Sequence, residues 1–162
     1  MIASIRAFRE VWQTESAMTS RVLAALTDAS LRRRVTPKDR SVAEIAWHLV
    51  VSVVEMAAMT GLQVSGPAPD APTPATAAAI TAAYDEAAAA LGAQVGAAWT
   101  DATLAVEDDM YGERWPRGLT LAAIVVHQVH HRGQMSVLMR QAGLTVPSIY
   151  GPNREETEAM RG

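Results

Sequence analysis

The run Thr120-Leu-Ala-Ala-Ile-Val-Val-His127-Gln-Val-His130-His131-Arg132-Gly-Gln134-Met-Ser-Val-Leu138-Met-Arg-Gln-Ala142 decides how this chain is to be read. Along it Ile124, His127, His131, Gln134 and Leu138 recur in steps of three and four, the repeat of a single helix face. His127 and His131 therefore share a face with apolar neighbours, whereas His130 is turned from His131 by about 100° and falls on the surface or at an interface. Thr120 is expected to cap the helix, with Gly143 ending it and Pro147 preventing its return.

The remaining histidine lies in a second helix with a sharp start. Ser41-Val-Ala-Glu44 has the form of a capping box, in which each side chain satisfies a free backbone donor. That helix should run to Thr60 and stop at Gly61. Ile45, His48 and Ser52 follow one of its faces. His48 stands seven residues after Ser41, and His127 seven after Thr120. If both helix starts lie at one end of a bundle, the imidazoles sit at similar depth and can meet. Three imidazoles converging among apolar groups form the ligand set of an open metal site, with a position left for water or substrate. Spacing alone leaves a second reading open, in which these are core histidines satisfied by ordinary hydrogen bonds. A ligating imidazole needs a partner on its other nitrogen, and Glu44 and Gln134 are the candidates.

Two more helices complete the pattern. The first is expected over Ile2 to Leu26, carried by Ile5, Phe8, Trp12, Met18, Val22 and Leu26. The third is expected to open with Thr73 as cap and Pro74 at its first position, and to run through Tyr84 and Leu91 towards Ala98. Its alanines favour a helix and allow a neighbour to approach closely. Thr27–Arg40, the proline-rich Ser65–Pro74 and the polar Asp101–Gly118 read as connections, the last a long crossover loop. The expectation is an all-α four-helix bundle with long crossover loops over residues 1–147, followed by a polar tail at 148–162.

Composition narrows the functions. A net charge of −3 provides no field to attract nucleic acid or an anionic membrane. The run Arg32-Arg33-Arg34 reads as a solvated helix end. With no cysteine there is neither a thiolate metal site nor a protein thiol nucleophile. Met1–Glu10 has no signal-peptide core, and Leu49–Met59, interrupted by Ser52 and Glu55, is shorter than the ~20 residues of a membrane span. The expected location is the cytoplasm. Di-iron chemistry of the ferritin kind would need paired Glu-x-x-His elements, which the final helix lacks. Trp12, Trp47 and Trp99 are expected in the core or an interface, and Trp115 in loop packing, with covering of the pocket as its alternative.

The pattern His127-x-x-x-His131-Arg132-Gly133-Gln134, the earlier Trp47-His48 and the ending Leu138-x-Arg140-x-x-Gly143-x-x-x-Pro147-x-x-Tyr150-Gly151 together resemble the DinB-like (damage-inducible, YfiT-related) superfamily. The likeness covers nearly the whole chain. It implies an up-down-down-up bundle, a homodimer, and one divalent transition metal (Zn, Ni or Fe) held by His48, His127 and His131. Some members of the superfamily are thiol-dependent enzymes that transfer bacillithiol to electrophiles or use mycothiol to isomerise maleylpyruvate.

The function expected from residues and resemblance together is a metal-dependent thiol S-transferase or related detoxifying enzyme acting on a small-molecule substrate. A coordinating thiol loses its proton to the metal's charge. Because the chain has no cysteine, that thiol must be a low-molecular-weight cosubstrate. The alternatives are a metal-dependent hydrolase, with Glu44 or Glu55 as base, and a non-catalytic metal-binding stress-response protein. Glu55 is expected to be solvated or paired. Arg132 could steady an acidic group, but is expected at a dimer contact or in solvent.

Overall fold

The computed structural model describes residues 2–162. Its frame is four long helices, α1 (Ile5–Ala24), α2 (Val42–Met59), α3 (Ala77–Ala98) and α4 (Arg117–Gln141), with a short α5 (Arg154–Ala159) near the end. A two-stranded antiparallel hairpin, β1 (Glu107–Met110) and β2 (Glu113–Pro116), stands directly before α4. The fold is mostly helical, as the alanine content and helical periodicities predict.

The second helix starts and stops where the sequence places it. Ser41 Oγ accepts from the Glu44 amide at 3.3 Å, and the Glu44 carboxylate accepts from the Ser41 amide at 2.6 Å. At the far end Gly61 takes a φ of +82°, which a residue with a Cβ adopts only with strain. By length and composition α2 could cross a membrane, which corrects the shorter apolar stretch read from the sequence. Its apolar groups have another destination, however. Ile45, Leu49, Val50, Val53 and Met56 are all buried, and the helix packs against both α3 and α4.

Four elements differ from expectation. The first helix is shorter than Ile2–Leu26, with Ser4 as its cap and Ala24 as its last residue. The third helix is capped by Thr76, not Thr73, and begins at Ala77; the capping oxygen accepts from the Ala79 amide at 3.3 Å. The crossover before α4 is not an open loop: it contains a short 3-10 turn (Asp101–Ala105) and the hairpin. The fourth helix starts at Arg117, one turn before Thr120, which is fully buried within it. What anchors this start is Arg117. Its amide donates to Val106 O at 2.9 Å, its guanidinium pairs with Asp108 at 2.9 Å, and the same guanidinium lies 4.8 Å from the centre of the Trp99 ring. Gly118 has to be glycine for a steric reason, since a Cβ there would stand 2.7 Å from the carbonyl oxygen of Ile2.

Hydrogen bonds between helix ends fix relative directions. Arg117, at the start of α4, donates to Thr60 O just beyond the end of α2, at 3.1 Å, so these two helices run antiparallel. Asp101, beyond the end of α3, accepts from the Ile5 amide, and Asp28, beyond the end of α1, accepts from the Ala77 amide, so α1 and α3 are antiparallel as well. The tail is tied down rather than free. Arg140 of α4 holds Glu155 of α5 through two hydrogen bonds of 2.6 and 2.9 Å, and the Tyr150 hydroxyl donates to Glu15 of α1 at 2.7 Å.

Candidate metal centre

His48, His127 and His131 come together between α2 and α4. The Nε2 of His127 lies 3.1 Å from that of His48 and 3.0 Å from that of His131. One ring nitrogen from each residue falls within 4.8 Å of the other two. The route to this convergence is not the one suggested by counting from the two caps. Because α2 and α4 are antiparallel, their starts lie at opposite ends. The histidines meet because His48 precedes Thr60 by twelve residues and His127 follows Arg117 by ten, and Thr60 and Arg117 are in contact.

The protonation states favour metal binding. Gln134 accepts from His131 Nδ1 at 2.8 Å, while its amide nitrogen meets His130 Nε2 at 3.1 Å. With the amide in that orientation, His131 carries its proton on Nδ1 and turns a lone pair inwards from Nε2. Burial pulls His48 and His127 down to about 4, with the neighbouring His131 adding to the effect, and lowers His131 too. The rings are therefore neutral near pH 7, the state a ligating imidazole requires.

Three neutral imidazoles cannot satisfy one another in this arrangement. His127 Nε2 faces two nitrogens but carries either one proton or one lone pair, so one of its two short contacts is always mismatched. A cation accepting three lone pairs removes the mismatch. Nitrogens bound at about 2.0–2.1 Å to a common ion lie a little over 3 Å apart, close to the two separations measured from His127 Nε2. The three side chains could hold a metal ion. His127 Nδ1 is buried with no hydrogen-bond partner among the described residues.

The other candidates divide. Gln134 supplies the outer partner of His131, as expected. Glu44 does not serve His48: its carboxylate is engaged by the Ser41 amide, which with the Ser41 hydroxyl holds it below the usual carboxylate range, and it also meets Arg34 at 3.4 Å. His130 is exposed. Arg132 lies neither in solvent nor at an open contact face. It is 1% exposed, paired with the Glu15 carboxylate, and donates to Glu15 O at 2.6 Å and to Thr19 Oγ1 at 3.0 Å. Its sequence signal was readable only as a charge next to a histidine, because Glu15 is more than a hundred residues away in the chain.

A cavity of about 280 Å³ opens beside the histidines. His48 and His127 line it, together with Ser52, Glu55 and Met56 of α2, Ala123 of α4, and Tyr111 and Trp115 of the hairpin. Trp115 is thus a wall of the cavity rather than loop packing. Tyr111 and Trp115 meet edge to face, 6.4 Å between ring centres. Burial, and then the negative charge of Glu55, raise the Tyr111 hydroxyl above its ordinary pKa, which places the Glu55 carboxylate within electrostatic reach of that ring. A larger groove of about 800 Å³ between α1 and α3 includes none of the four histidines, so we assign it no part in this chemistry.

A family model described as the DinB family matches residues 1–161. The protein YrdA of Bacillus subtilis, described as uncharacterized, is 40% identical over 156 residues, which cover 96% of this chain and 93% of YrdA. The crystal structure of a DinB-like protein from Bacillus cereus is 37% identical and superposes with a TM-score of 0.89 over 93% of this chain and 100% of that one. A second DinB-like protein, YjoA of Bacillus subtilis, is 19% identical with a TM-score of 0.69 over 88% of this chain and 96% of its own, a likeness of fold.

Proposed function

The chain belongs to the DinB family, and on that premise we propose that it is a metal-dependent thiol S-transferase acting on a small electrophile. The observation carrying this reading is the group of three imidazole nitrogens beside a cavity large enough for a small molecule. Three protein ligands leave coordination positions open, the arrangement of catalytic rather than structural sites. A divalent ion held there, Zn, Ni or Fe, supplies Lewis acidity that favours the deprotonated form of an approaching thiol.

The protein's own residues do the rest. His48, His127 and His131 would hold the ion, and Gln134 keeps His131 in the tautomer that offers Nε2. Tyr111, Trp115 and Met56 line part of the cavity with apolar surface, Tyr111 from its exposed rim. The thiol proton passes to solvent, the sulfur electron pair forms the new S–C bond, and the leaving group departs with its bonding pair. Because no cysteine is present, both sulfur and electrophile come from outside.

The test is to load the purified protein with one metal at a time, incubate it with low-molecular-weight thiols and a halogenated arene, and measure conjugate formation. Conjugation that needs the metal and disappears in His127→Ala is the expected result. Metal binding with no turnover for any thiol would refute the transferase reading, and ester hydrolysis by the same preparation would replace it with hydrolysis.

A further inference from the structure

We propose that the cavity beside the histidines binds a small organic cation, with the charged head between Glu55 and the Tyr111–Trp115 pair and the apolar body against Met56 and Ala123. The inference rests on the preceding section only in calling this ligand a substrate; the binding itself follows from the cavity.

Four observations support it. Glu55 is only partly exposed and has no ion pair or hydrogen bond among the described residues, although most arginines that meet a carboxylate in this protein do so within 3.8 Å. No lysine or arginine lines the cavity, so a cationic head would meet no fixed side-chain charge of its own sign there. Two aromatic rings set edge to face share the cavity with that carboxylate, and aromatic faces together with an anion are how proteins hold ammonium groups. Finally, Tyr111 is the one non-glycine residue among those described with positive φ, +58°. Tyr111 and Gly112 form a two-residue hairpin loop with positive φ at both positions, where asparagine or aspartate before glycine would be the relaxed choice. A tyrosine kept in that conformation has a use for its ring, and this ring lines the cavity.

Size sets a further limit. The volume of about 280 Å³ is at the lower edge of the ~300–1,000 Å³ span of small-molecule sites. It suits a single ring or a short chain. Glu55 follows His48 by seven residues on one helix, about 10 Å along its axis. A ligand with its cation at Glu55 can therefore extend its other end towards the histidines. A ligand with an anionic head at that position would face the carboxylate.

The experiment uses zinc-loaded protein and three probes of similar body, benzyltrimethylammonium, benzyl alcohol and benzenesulfonate, titrated by calorimetry and by tryptophan fluorescence. The quaternary ammonium cannot ligate the metal, so its affinity reports the cavity alone. Expected is a Glu55→Gln variant that weakens the ammonium about tenfold and changes the alcohol by less than about twofold, with the sulfonate weakest in the wild type. A fluorescence change on ammonium binding should vanish in Trp115→Phe. Ammonium affinity equal in wild type and Glu55→Gln, no ammonium binding at all, or preference for the sulfonate would each overturn the proposal. Zinc content measured on the same samples judges the histidine centre separately, so loss of one reading does not conceal loss of the other.

Discussion

His131 and Arg132 are neighbours in the chain and stand on two sides of α4, where the protein solves the problem of a buried polar group in opposite ways. Towards α2, His131 joins two other neutral rings whose nitrogens crowd together without a complete set of protons to share. Towards α1, the guanidinium of Arg132 meets Glu15, Thr19 and Tyr150, which meet its charge with a carboxylate and several oxygen acceptors. One side lacks a positive charge and the other already contains one. The difference separates a site built to receive something from a joint built to stay shut, and it can be tested by removing one member from each.

The largest effect is expected at the open side. His127→Ala removes the ring that contacts both others, and metal content after dialysis should fall from about one equivalent per chain to near none, read by elemental analysis. A full equivalent retained by the variant would show that these histidines are not the ligands. Next comes the closed side. Arg132→Met leaves Glu15 without its guanidinium partner, and breaking a buried pair in this way costs about 3–5 kcal/mol. Urea denaturation should show that loss, while Arg132→Met combined with Glu15→Leu should recover most of it, since neither charge then remains unpaired. Retention of metal by whichever variants stay folded would confirm that the two sides are independent.

A smaller effect is expected one layer out. Gln134→Leu removes the acceptor of His131 Nδ1 and frees the ring to change tautomer, so metal affinity should fall about 10–100-fold with little change in metal-free stability. Unchanged affinity would mean that Gln134 orients nothing. Below that stands Tyr111→Asn, which places a residue tolerant of positive φ in the hairpin loop. Thermal denaturation should show a gain of about 1 kcal/mol, and the cavity should bind the ammonium probe more weakly. A gain in stability without a loss in binding would separate the strain from the ligand site.

How much of this was legible in the sequence follows the range of the interactions. Capping and periodicity are local, so Ser41 and Glu44 at the start of α2, Gly61 at its end and Gly143 after α4 are where the sequence places them. The histidine face was visible because helical spacing acts over one turn. The start of α4 was not, because it is anchored by Asp108, Thr60 and Trp99, none of which a local cap pattern can announce. The hairpin was missed because its strands, Glu-Asp-Asp-Met and Glu-Arg-Trp-Pro, are charged, and its loop is Tyr-Gly rather than Asn-Gly. The one usable local signal was Asp109 three residues before Gly112, whose amide it accepts at 2.9 Å. With the hairpin missed, Tyr111 was not joined to the site, and Trp115 entered it only as the alternative to loop packing. The role of Arg132 was hidden for the same reason: its partners lie on another helix and in the tail.

The smallest effect concerns the tail, and it extends the contrast from buried to exposed charge. Two hydrogen bonds from Arg140 hold the carboxyl of Glu155 down to about 2, with its own backbone amide and Arg154 assisting. A carboxylate depressed in the folded state contributes stability that is fully present above its ordinary pKa of 4.5 and is lost as pH falls through its folded value. The docking of α5 should therefore weaken between about pH 4.5 and 2, and hydrogen exchange at the α5 amides should accelerate over that window before the core amides of α2 respond. The pair is solvent-accessible, so added salt should shift the same release to higher pH, whereas the Arg132–Glu15 pair should hardly notice it. Equal salt sensitivity at the two pairs would mean that burial does not distinguish them, and the contrast between an exposed tether and a sealed joint would fail.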